Sequence, residues 1–239
     1  MAYDPQVVRT KFIPPLPRKR LLIRARLAEL LEGVVSHKVT ILQAGPGYGK
    51  STVLAVHLSR AGVPSFWYSV NSADTDPRVF ITHLIWSLRA AYPTVGSESL
   101  SLLEENYGPA ARRQAVDLLS NDLLDQIIGD VAIVIDDYHA VAKSPEVSEI
   151  VENLINTMPP HVHLILSTRE RPSFGSLARW RVRGEALEIT EKDLAFTASE
   201  ISGLFSGPYQ HELTAAQVKV VQERTEGWII ALEMIWHAL

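Results

Sequence analysis

The fold of this chain is decided by one stretch, Val39-Thr40-Ile41-Leu42-Gln43-Ala44-Gly45-Pro46-Gly47-Tyr48-Gly49-Lys50-Ser51-Thr52. Its first part is an apolar run typical of a β-strand, and the apolar residues 53–58 that follow it are compatible with a helix. A strand, a glycine-rich loop and a helix in this order form an arrangement that is suited to binding a triphosphate. Glycines let consecutive backbone N–H groups turn toward one anion, and the helix N-terminus adds partial positive charge.

This stretch fits the P-loop pattern G-x-x-x-x-G-K-[ST], except that Ala44 stands where the first glycine is usual. Lys50 is predicted to reach the β- and γ-phosphates, and the Ser51 hydroxyl to ligate Mg²⁺. An ordinary glycine turn is the alternative, but the flanking strand and helix favour nucleotide binding. The predicted phosphate-binding residues are Gly45, Pro46, Gly47, Tyr48, Gly49, Lys50, Ser51 and Thr52.

Composition places the chain among globular proteins. Of its 239 residues, 46% are hydrophobic and 21% are charged, which is enough for one large α/β unit and a smaller one. The sequence has no cysteine, which excludes disulfides, thiolate metal sites and cysteine nucleophiles. No apolar run approaches the roughly 20 residues of a membrane span, and the first residues lack the apolar core of a signal peptide. We expect a cytoplasmic protein with no membrane partner.

Positive charge is concentrated near the N-terminus, although the net charge is −4. Such a cluster attracts phosphate or nucleic acid in some proteins, but here no aromatic residues alternate with the charges to form a stacking platform. We therefore interpret the cluster as a solvated arm and expect no direct nucleic-acid binding by this segment. Its members are Arg9, Lys11, Arg18, Lys19, Arg20, Arg24, Arg26 and Lys38.

Five candidate strands, at 38–43, 66–70, 131–136, 162–167 and 186–190, indicate a parallel sheet. The third and fourth are apolar without alternation, as expected for strands buried on both faces. The intervening segments, such as 79–91 and 115–128, are long enough for crossover helices. The fold class is thus a P-loop α/β sandwich, and we assign residues 1–192 to a nucleotide-binding domain in which 1–37 form an N-terminal arm and helix.

Residues 193–239 are predicted to form a small all-helical domain. Thr197 and Glu200 have the spacing of a capping box, and Thr214 and Gln217 repeat it. The pair Gly227-Trp228 then precedes a last apolar helix that runs from 229 to 239.

Two adjacent carboxylates, Asp136 and Asp137, end the third candidate strand in a Walker-B arrangement. Asp136 is predicted to hold Mg²⁺, largely through water. Because side chains alternate along a strand, the side chain of Asp137 must differ in direction from that of Asp136. Asp137 is therefore the candidate that orients or deprotonates the attacking water. The alternative is a strand end with two solvated acids.

The fourth candidate strand ends in Ser167-Thr168-Arg169, close to where a γ-phosphate would lie in such a sheet. Ser167 or Thr168 is a candidate to hydrogen-bond the attacking water, and Arg169 to sense or neutralise phosphate charge. A surface arginine paired with Glu170 is the alternative for Arg169. For His139, a local hydrogen-bonding role is favoured over a direct one.

Together these motifs resemble one family. The ordered set looks like the N-terminal ATPase module of the maltose-regulon activator and related large ATP-dependent LuxR-type regulators. These are signal-transduction ATPases with numerous domains (STAND), an AAA+-like branch of the P-loop proteins. The motifs are Lys11-Phe12-Ile13-Pro14-Pro15, Ile23-Arg24, Gly45 to Ser51, Phe66-Trp67-Tyr68-Ser69-Val70, Asp136-Asp137-Tyr138-His139, Leu166-Ser167-Thr168-Arg169 and Gly227-Trp228-Ile229-Ile230-Ala231-Leu232.

The resemblance implies an ATP- and ADP-binding switch with slow Mg²⁺-dependent hydrolysis, a nucleotide-dependent self-association and a role in transcription regulation. It implies that Ile23 and Arg24 contact the adenine region, and that Gly227 to Ile229 lie against the base. Ile229 stands where many STAND proteins have the proline of a G-x-P motif. The family places winged-helix, sensor and effector domains after the helical domain, so we expect this chain to be an excised part of a larger regulator.

Two other functions compete with the switch. One is an AAA+-type remodelling ATPase or another P-loop enzyme that uses ATP, such as a small-molecule kinase. The other is an interaction module that holds ADP permanently, although the acid pair Asp136-Asp137 argues against an inactive site.

Overall fold

The computed structural model describes residues 7–16, 20–106 and 108–239. Arg18 and Lys19 of the predicted basic arm lie outside the described residues. The strands are β1 (Val39–Gln43), β2 (Ser65–Ser69), β3 (Val131–Asp136), β4 (Val162–Thr168) and β5 (Ala186–Thr190). The α-helices are α1 (Ala25–Glu32), α2 (Lys50–Ala61), α3 (Pro77–Leu88), α4 (Ser97–Glu105), α5 (Pro109–Gln126), α6 (Pro145–Thr157), α7 (Leu177–Val182), α8 (Glu191–Leu194), α9 (Ala198–Ser206), α10 (Ala215–Thr225) and α11 (Ile229–Ala238).

The five strands form one parallel sheet in the order β2-β3-β4-β1-β5. The predicted fold class, an AAA+-like α/β sandwich around a five-stranded parallel sheet, is confirmed, and each predicted strand lies within one residue of the observed one. In this order β4 separates β1 from β3. Because all strands are parallel, the loops that follow β1, β3, β4 and β5 meet at one edge of the sheet.

Helices cover both faces of the sheet, which explains the continuous apolar strands. In β3, Val131, Ile133 and Ile135 belong to the core shared with α3 to α7, whereas Ala132 and Val134 belong to the core shared with α1, α2 and α8. Every residue of β3 is buried. A strand that is covered by helices on both faces is stabilised by apolar residues at every position.

The helical segment at the C-terminal end has a core of its own. Its buried residues, drawn from α9, α10, α11 and the connections between them, include Ile201, Phe205, Val221 and Leu232. Both predicted capping boxes are present, at Thr197 and Thr214. We call residues 193–239 the helical segment; the division into two domains stays a prediction.

Helix boundaries differ more from the prediction than strand boundaries do. Residues 21–24 are not helical, and α1 begins only at Ala25, because Arg24 has an extended backbone (φ −96°, ψ 106°). Gly33 ends α1, and with φ −63° it continues into a 3-10 turn and does not form a left-handed cap. The helix expected at 115–128 begins at Pro109, since proline is favourable in a first turn.

Among the described residues, no helix is long and apolar enough to cross a membrane.

Candidate nucleotide site

The glycine-rich loop joins β1 to α2, as the sequence predicts. Gly47 and Gly49 have left-handed backbones, with φ of +77° and +76°. Gly49 is the N-cap of α2, so the loop delivers the chain directly to a helix N-terminus. This geometry collects N–H groups and the positive end of α2 in one place.

Lys50 opens α2 and is 7% exposed. Its ammonium donates to the carbonyls of Ala44 at 2.8 Å and Gly45 at 3.0 Å, so the loop folds around it. Burial lowers the pKa of Lys50, and the charges of Asp137 and Asp136 oppose that shift. The nearby carboxylates help to keep the ammonium charged, and a charged ammonium makes strong hydrogen bonds to phosphate oxygens.

Ser51 and Asp136 are brought together as predicted. The Ser51 hydroxyl donates to Oδ1 of Asp136 at 2.9 Å, and the backbone N–H of Asp137 donates to the same oxygen at 3.1 Å. Asp136 is the last residue of β3 and is 7% exposed. A hydroxyl and a carboxylate at this distance are the oxygen ligands that Mg²⁺ accepts beside water and phosphate.

Asp137 is directed differently from Asp136. Its backbone is left-handed (φ +59°), and its side chain is 54% exposed. The ring nitrogen Nδ1 of His139 lies 3.8 Å from Oδ1 of Asp137 and, within the described part of the chain, has no hydrogen-bond partner. Burial and the charge of Arg169 lower the pKa of His139. Asp137 is thus free to meet solvent or ligand, which suits the proposed orientation of a water molecule.

The end of β4 lies between the P-loop strand and the strand that carries the acid pair. Ser167 is paired in register with Leu42 of β1, is fully buried, and its hydroxyl has no hydrogen-bond partner among the residues that the structure describes. The Thr168 hydroxyl donates to the carbonyl of Glu170 at 2.8 Å. Of the two hydroxyls that the sequence left open, Ser167 is the one without a structural partner. Arg169 is exposed and lines the same cavity as Asp137.

A cavity of about 570 Å³ extends from this polar end toward an apolar one. This volume is in the range of small-ligand sites. Lys50, Ser51, Asp137 and Arg169 lie on its wall together with the P-loop residues 46–49 and Thr52. The apolar end is formed by side chains of the N-terminal arm, α1, α2 and the helical segment, among them Ile23, Leu27, Val56, Phe196 and Ile229. Most of the predicted binding residues therefore share one cavity.

Arg24 lines this cavity, and its guanidinium joins the arm to the helical segment. Nη1 donates to the Leu194 carbonyl at 2.6 Å and lies 3.8 Å from the Glu200 carboxylate. The guanidinium carbon lies over the Phe196 ring, 4.2 Å from its centre. Burial lowers the pKa of Arg24 to about 10, so it stays charged near neutral pH. An adenine contact of this residue stays a prediction.

Gly227 and Trp228 lie behind the cavity wall. Gly227 has φ +78° and accepts a hydrogen bond from the Phe196 N–H at 2.9 Å, and an added Cβ would approach the Phe196 carbonyl oxygen to 2.3 Å. The Trp228 indole N–H donates to the Pro46 carbonyl at 3.1 Å. In the described part of the chain, the cavity wall includes the next residues, Ile229 and Ile230, but neither of this pair. Their predicted contact with the base remains untested.

The sequence interpretation missed Glu191, which begins α8 immediately after β5. Its carboxylate accepts from the Gly45 N–H at 3.0 Å. Burial and a hydrogen bond with Glu191 raise the pKa of the Tyr48 hydroxyl to about 12. Glu191 thus binds the loop from the side of β5. The sequence did contain one signal for Glu191, because this residue directly follows the candidate strand 186–190 of the predicted parallel sheet. In the structure this strand, β5, pairs with β1, which leads into the loop.

The sheet order, the P-loop and the acid pair define a P-loop ATPase fold, and comparisons with known proteins agree. No family model matches the chain. The STAND protein with a tetratricopeptide repeat sensor, PH0952 from Pyrococcus horikoshii, has a similar fold, with a TM-score of 0.61 and 15% identity over 93% of this chain and 31% of that one.

Similar sequences occur in larger proteins. The chain is 30% identical over 236 residues to the serine/threonine-protein kinase PknK of Mycobacterium tuberculosis, which covers 96% of this chain and 21% of PknK. It is 28% identical over 236 residues to the HTH-type transcriptional regulator MalT of Cronobacter sakazakii, which covers 96% of this chain and 25% of MalT. The chain thus spans about a fifth to a quarter of these relatives. Relatives and fold together support a STAND-class P-loop ATPase module, as the motifs predicted.

Proposed function

We propose that this chain is the nucleotide-operated switch module of a larger regulator, which binds ATP and ADP with Mg²⁺ and hydrolyses ATP slowly. The observation that carries the proposal is the convergence of Lys50, the Ser51–Asp136 pair and Asp137 at the polar end of one cavity. The apolar remainder of the cavity has room for a base and a sugar.

Each polar residue has a role that its surroundings favour. Ser51 and Asp136 would hold Mg²⁺, which when bound would neutralise charge on the phosphates. Lys50 leaves the carbonyls of its own loop and donates to the β- and γ-phosphates. Asp137, half exposed, accepts a hydrogen bond from the attacking water and takes its proton. The Ser167 hydroxyl, which is fully buried at the end of β4 and has no hydrogen-bond partner among the described residues, would hold the same water if that water reaches it, and Arg169 neutralises phosphate charge.

The proposed switch rests on the fact that two parts of the chain, the sheet with its loops and the helical segment, form the cavity wall. The sheet supplies the phosphate end, whereas Phe196 and Ile229 of the helical segment form part of the apolar end. A nucleotide that touches both parts stabilises the arrangement in which both contacts exist. ATP and ADP shift the position of the helical segment only by their difference in affinity for its closed and open arrangements.

The output belongs to the rest of the regulator. Relatives that contain a similar segment are named as a transcriptional regulator and a protein kinase, and the structural neighbour has a repeat sensor. We infer a cytoplasmic signal-transduction role, with transcription regulation as the output, through winged-helix, sensor and effector domains. The open form is inferred to self-associate.

Two substitutions test the nucleotide site. Lys50→Ala removes the buried ammonium and is expected to weaken ATP binding about 10- to 100-fold, since a hydrogen bond to a charged group contributes about 1.5–3 kcal/mol. Lys219→Ala, at a lysine whose side chain is 78% exposed, is the control. The measurement is isothermal titration with ATP and ADP in Mg²⁺, preceded by identification of any nucleotide released on denaturation.

Asp137→Asn is expected to bind ATP like the unmodified chain and to lose hydrolysis by about 100-fold or more, because a positioned base contributes that much. Asp125→Asn, at an exposed acid of α5, is the control. Single-turnover phosphate release measures the effect. Equal hydrolysis by Asp137→Asn and the unmodified chain would overturn the role of Asp137. A site that stays empty in millimolar ATP would overturn the function, and turnover stimulated by a protein or small-molecule substrate would favour a remodelling ATPase or kinase.

A further inference from the structure

Trp228 contacts the phosphate-binding loop from outside the cavity. Its indole N–H donates to the Pro46 carbonyl at 3.1 Å, and its ring lies 6.5 Å from the ring of Tyr48, centre to centre. Pro46 is the residue before Gly47, near the middle of the loop. The hydrogen bond therefore links the first residue before α11 to the loop that opens α2.

This hydrogen bond fixes the orientation of the peptide group between Pro46 and Gly47. In a planar trans peptide the C=O and the N–H point in opposite directions, and the described residues contain no cis peptide bond. With the carbonyl turned outward to the indole, the Gly47 N–H is turned away from the indole. Gly47 lines the cavity whereas Trp228 is not part of the described wall. The inward N–H is thus available to an anion at the polar end.

Ile230 restricts the same peptide by packing. A Cβ built on Gly47 would come within 2.1 Å of Cδ1 of Ile230 and 3.1 Å of the Trp228 indole nitrogen. The first turn of α11 therefore leaves no space on that side of Gly47. A loop so confined keeps its N–H orientation before an anion arrives, which reduces the ordering cost of binding.

We propose that Trp228 is a positioning residue for phosphate binding: through the Pro46 carbonyl it holds the Gly47 N–H toward the bound phosphates, and it does not act through the base. The inference rests on the proposed nucleotide-binding function and deepens it. It also couples the helical segment to the loop, because a shift of α11 that removes the indole also releases the Pro46–Gly47 peptide.

The test is Trp228→Phe, which keeps an aromatic ring and removes the N–H donor. Trp236→Phe is the matched control, since the indole of Trp236, which lies in α11, donates to the Tyr209 carbonyl at 3.2 Å, within the helical segment. Both variants are titrated calorimetrically with ATP, inorganic tripolyphosphate and adenosine. Loss of one neutral hydrogen bond predicts that Trp228→Phe binds ATP and tripolyphosphate about 3- to 10-fold more weakly and adenosine unchanged. Trp236→Phe is expected to bind all three normally.

Other results overturn the inference. Equal weakening of adenosine and ATP in Trp228→Phe would assign Trp228 to the base or to general stability. Unchanged ATP binding would remove its positioning role while leaving the nucleotide site intact. If the unmodified chain bound neither ATP nor tripolyphosphate, the proposed function would fail together with the inference. An amide chemical shift of Gly47 that moves in Trp228→Phe, but not in Trp236→Phe, is the supporting spectroscopic result.

Discussion

Replacing Gly47 by alanine tests how closely α11 packs on the phosphate-binding loop. The substitution has two costs. A residue with a side chain at φ +77° pays about 1–2 kcal/mol for a left-handed backbone. The new Cβ would also lie 2.1 Å from Cδ1 of Ile230, so that side chain must move, at about 1–3 kcal/mol. The sum is a loss of about 2–5 kcal/mol in the free energy of unfolding.

Gly49→Ala separates these costs. Gly49 has nearly the same φ (+76°), but among the described residues nothing lies within 4 Å of an added Cβ. It should therefore lose only the backbone part, about 1–2 kcal/mol. Ile230→Ala in the Gly47→Ala background should restore part of the remaining loss, and the double-mutant cycle gives the coupling free energy.

The assay is urea unfolding followed by tryptophan fluorescence and circular dichroism, without nucleotide. The reasoning would be refuted if Gly47→Ala and Gly49→Ala lost equal free energies of unfolding and Ile230→Ala restored none of it. The helical segment would then not contact the loop in solution as it does in the structure.

Two further predictions concern stability. Lys11→Met leaves the fully buried Asp74 without the ammonium that it contacts at 2.5 Å, and should cost about 3–5 kcal/mol in urea unfolding. Lys219→Met, at an exposed pair, should change it by less than about 1 kcal/mol, and equal effects would contradict a buried ion pair. The second prediction is that stability falls on acidification. Burial holds the pKa of both His57 and His139 below the usual value of about 6.5. Between the folded and unfolded pKa values the unfolded chain binds more protons, so the free energy of unfolding decreases as the pH drops through about 6.5. Replacing both histidines by glutamine should reduce the decrease in the free energy of unfolding between about pH 7.5 and pH 5.5. An unchanged decrease would contradict the assignment of this pH dependence to His57 and His139.

The sequence predicts well what depends on local patterns. The loop from Gly45 to Ser51, the five strands and both capping boxes follow from short motifs and hydrophobic periodicity, because backbone preference and burial act on neighbours in the chain. The pairing of Ser51 with Asp136 was also predictable, since a P-loop and a Walker-B strand of one parallel sheet end at the same edge.

Contacts between distant segments were not predictable in the same way. The family resemblance implied that Trp228 lies against the base, which stays a prediction, whereas the hydrogen bond of its indole to the Pro46 carbonyl is visible only in the tertiary structure. Glu191 carries no motif, and only the pairing of β5 with β1 brings it to Gly45. A side-chain direction in such a case depends on how α8 and α11 pack, which no local pattern encodes.

The sequence by itself thus determined the class of fold, the order of the motifs and which residue types stand at the polar end of the cavity, because each depends on residue types at fixed spacing. Only the tertiary structure decided which hydroxyl of the β4 end stays without a partner, and that the helical segment touches the loop through Trp228 and Ile230. These outcomes depend on the three-dimensional packing of segments about 180 residues apart, where small differences in orientation decide which donor meets which acceptor.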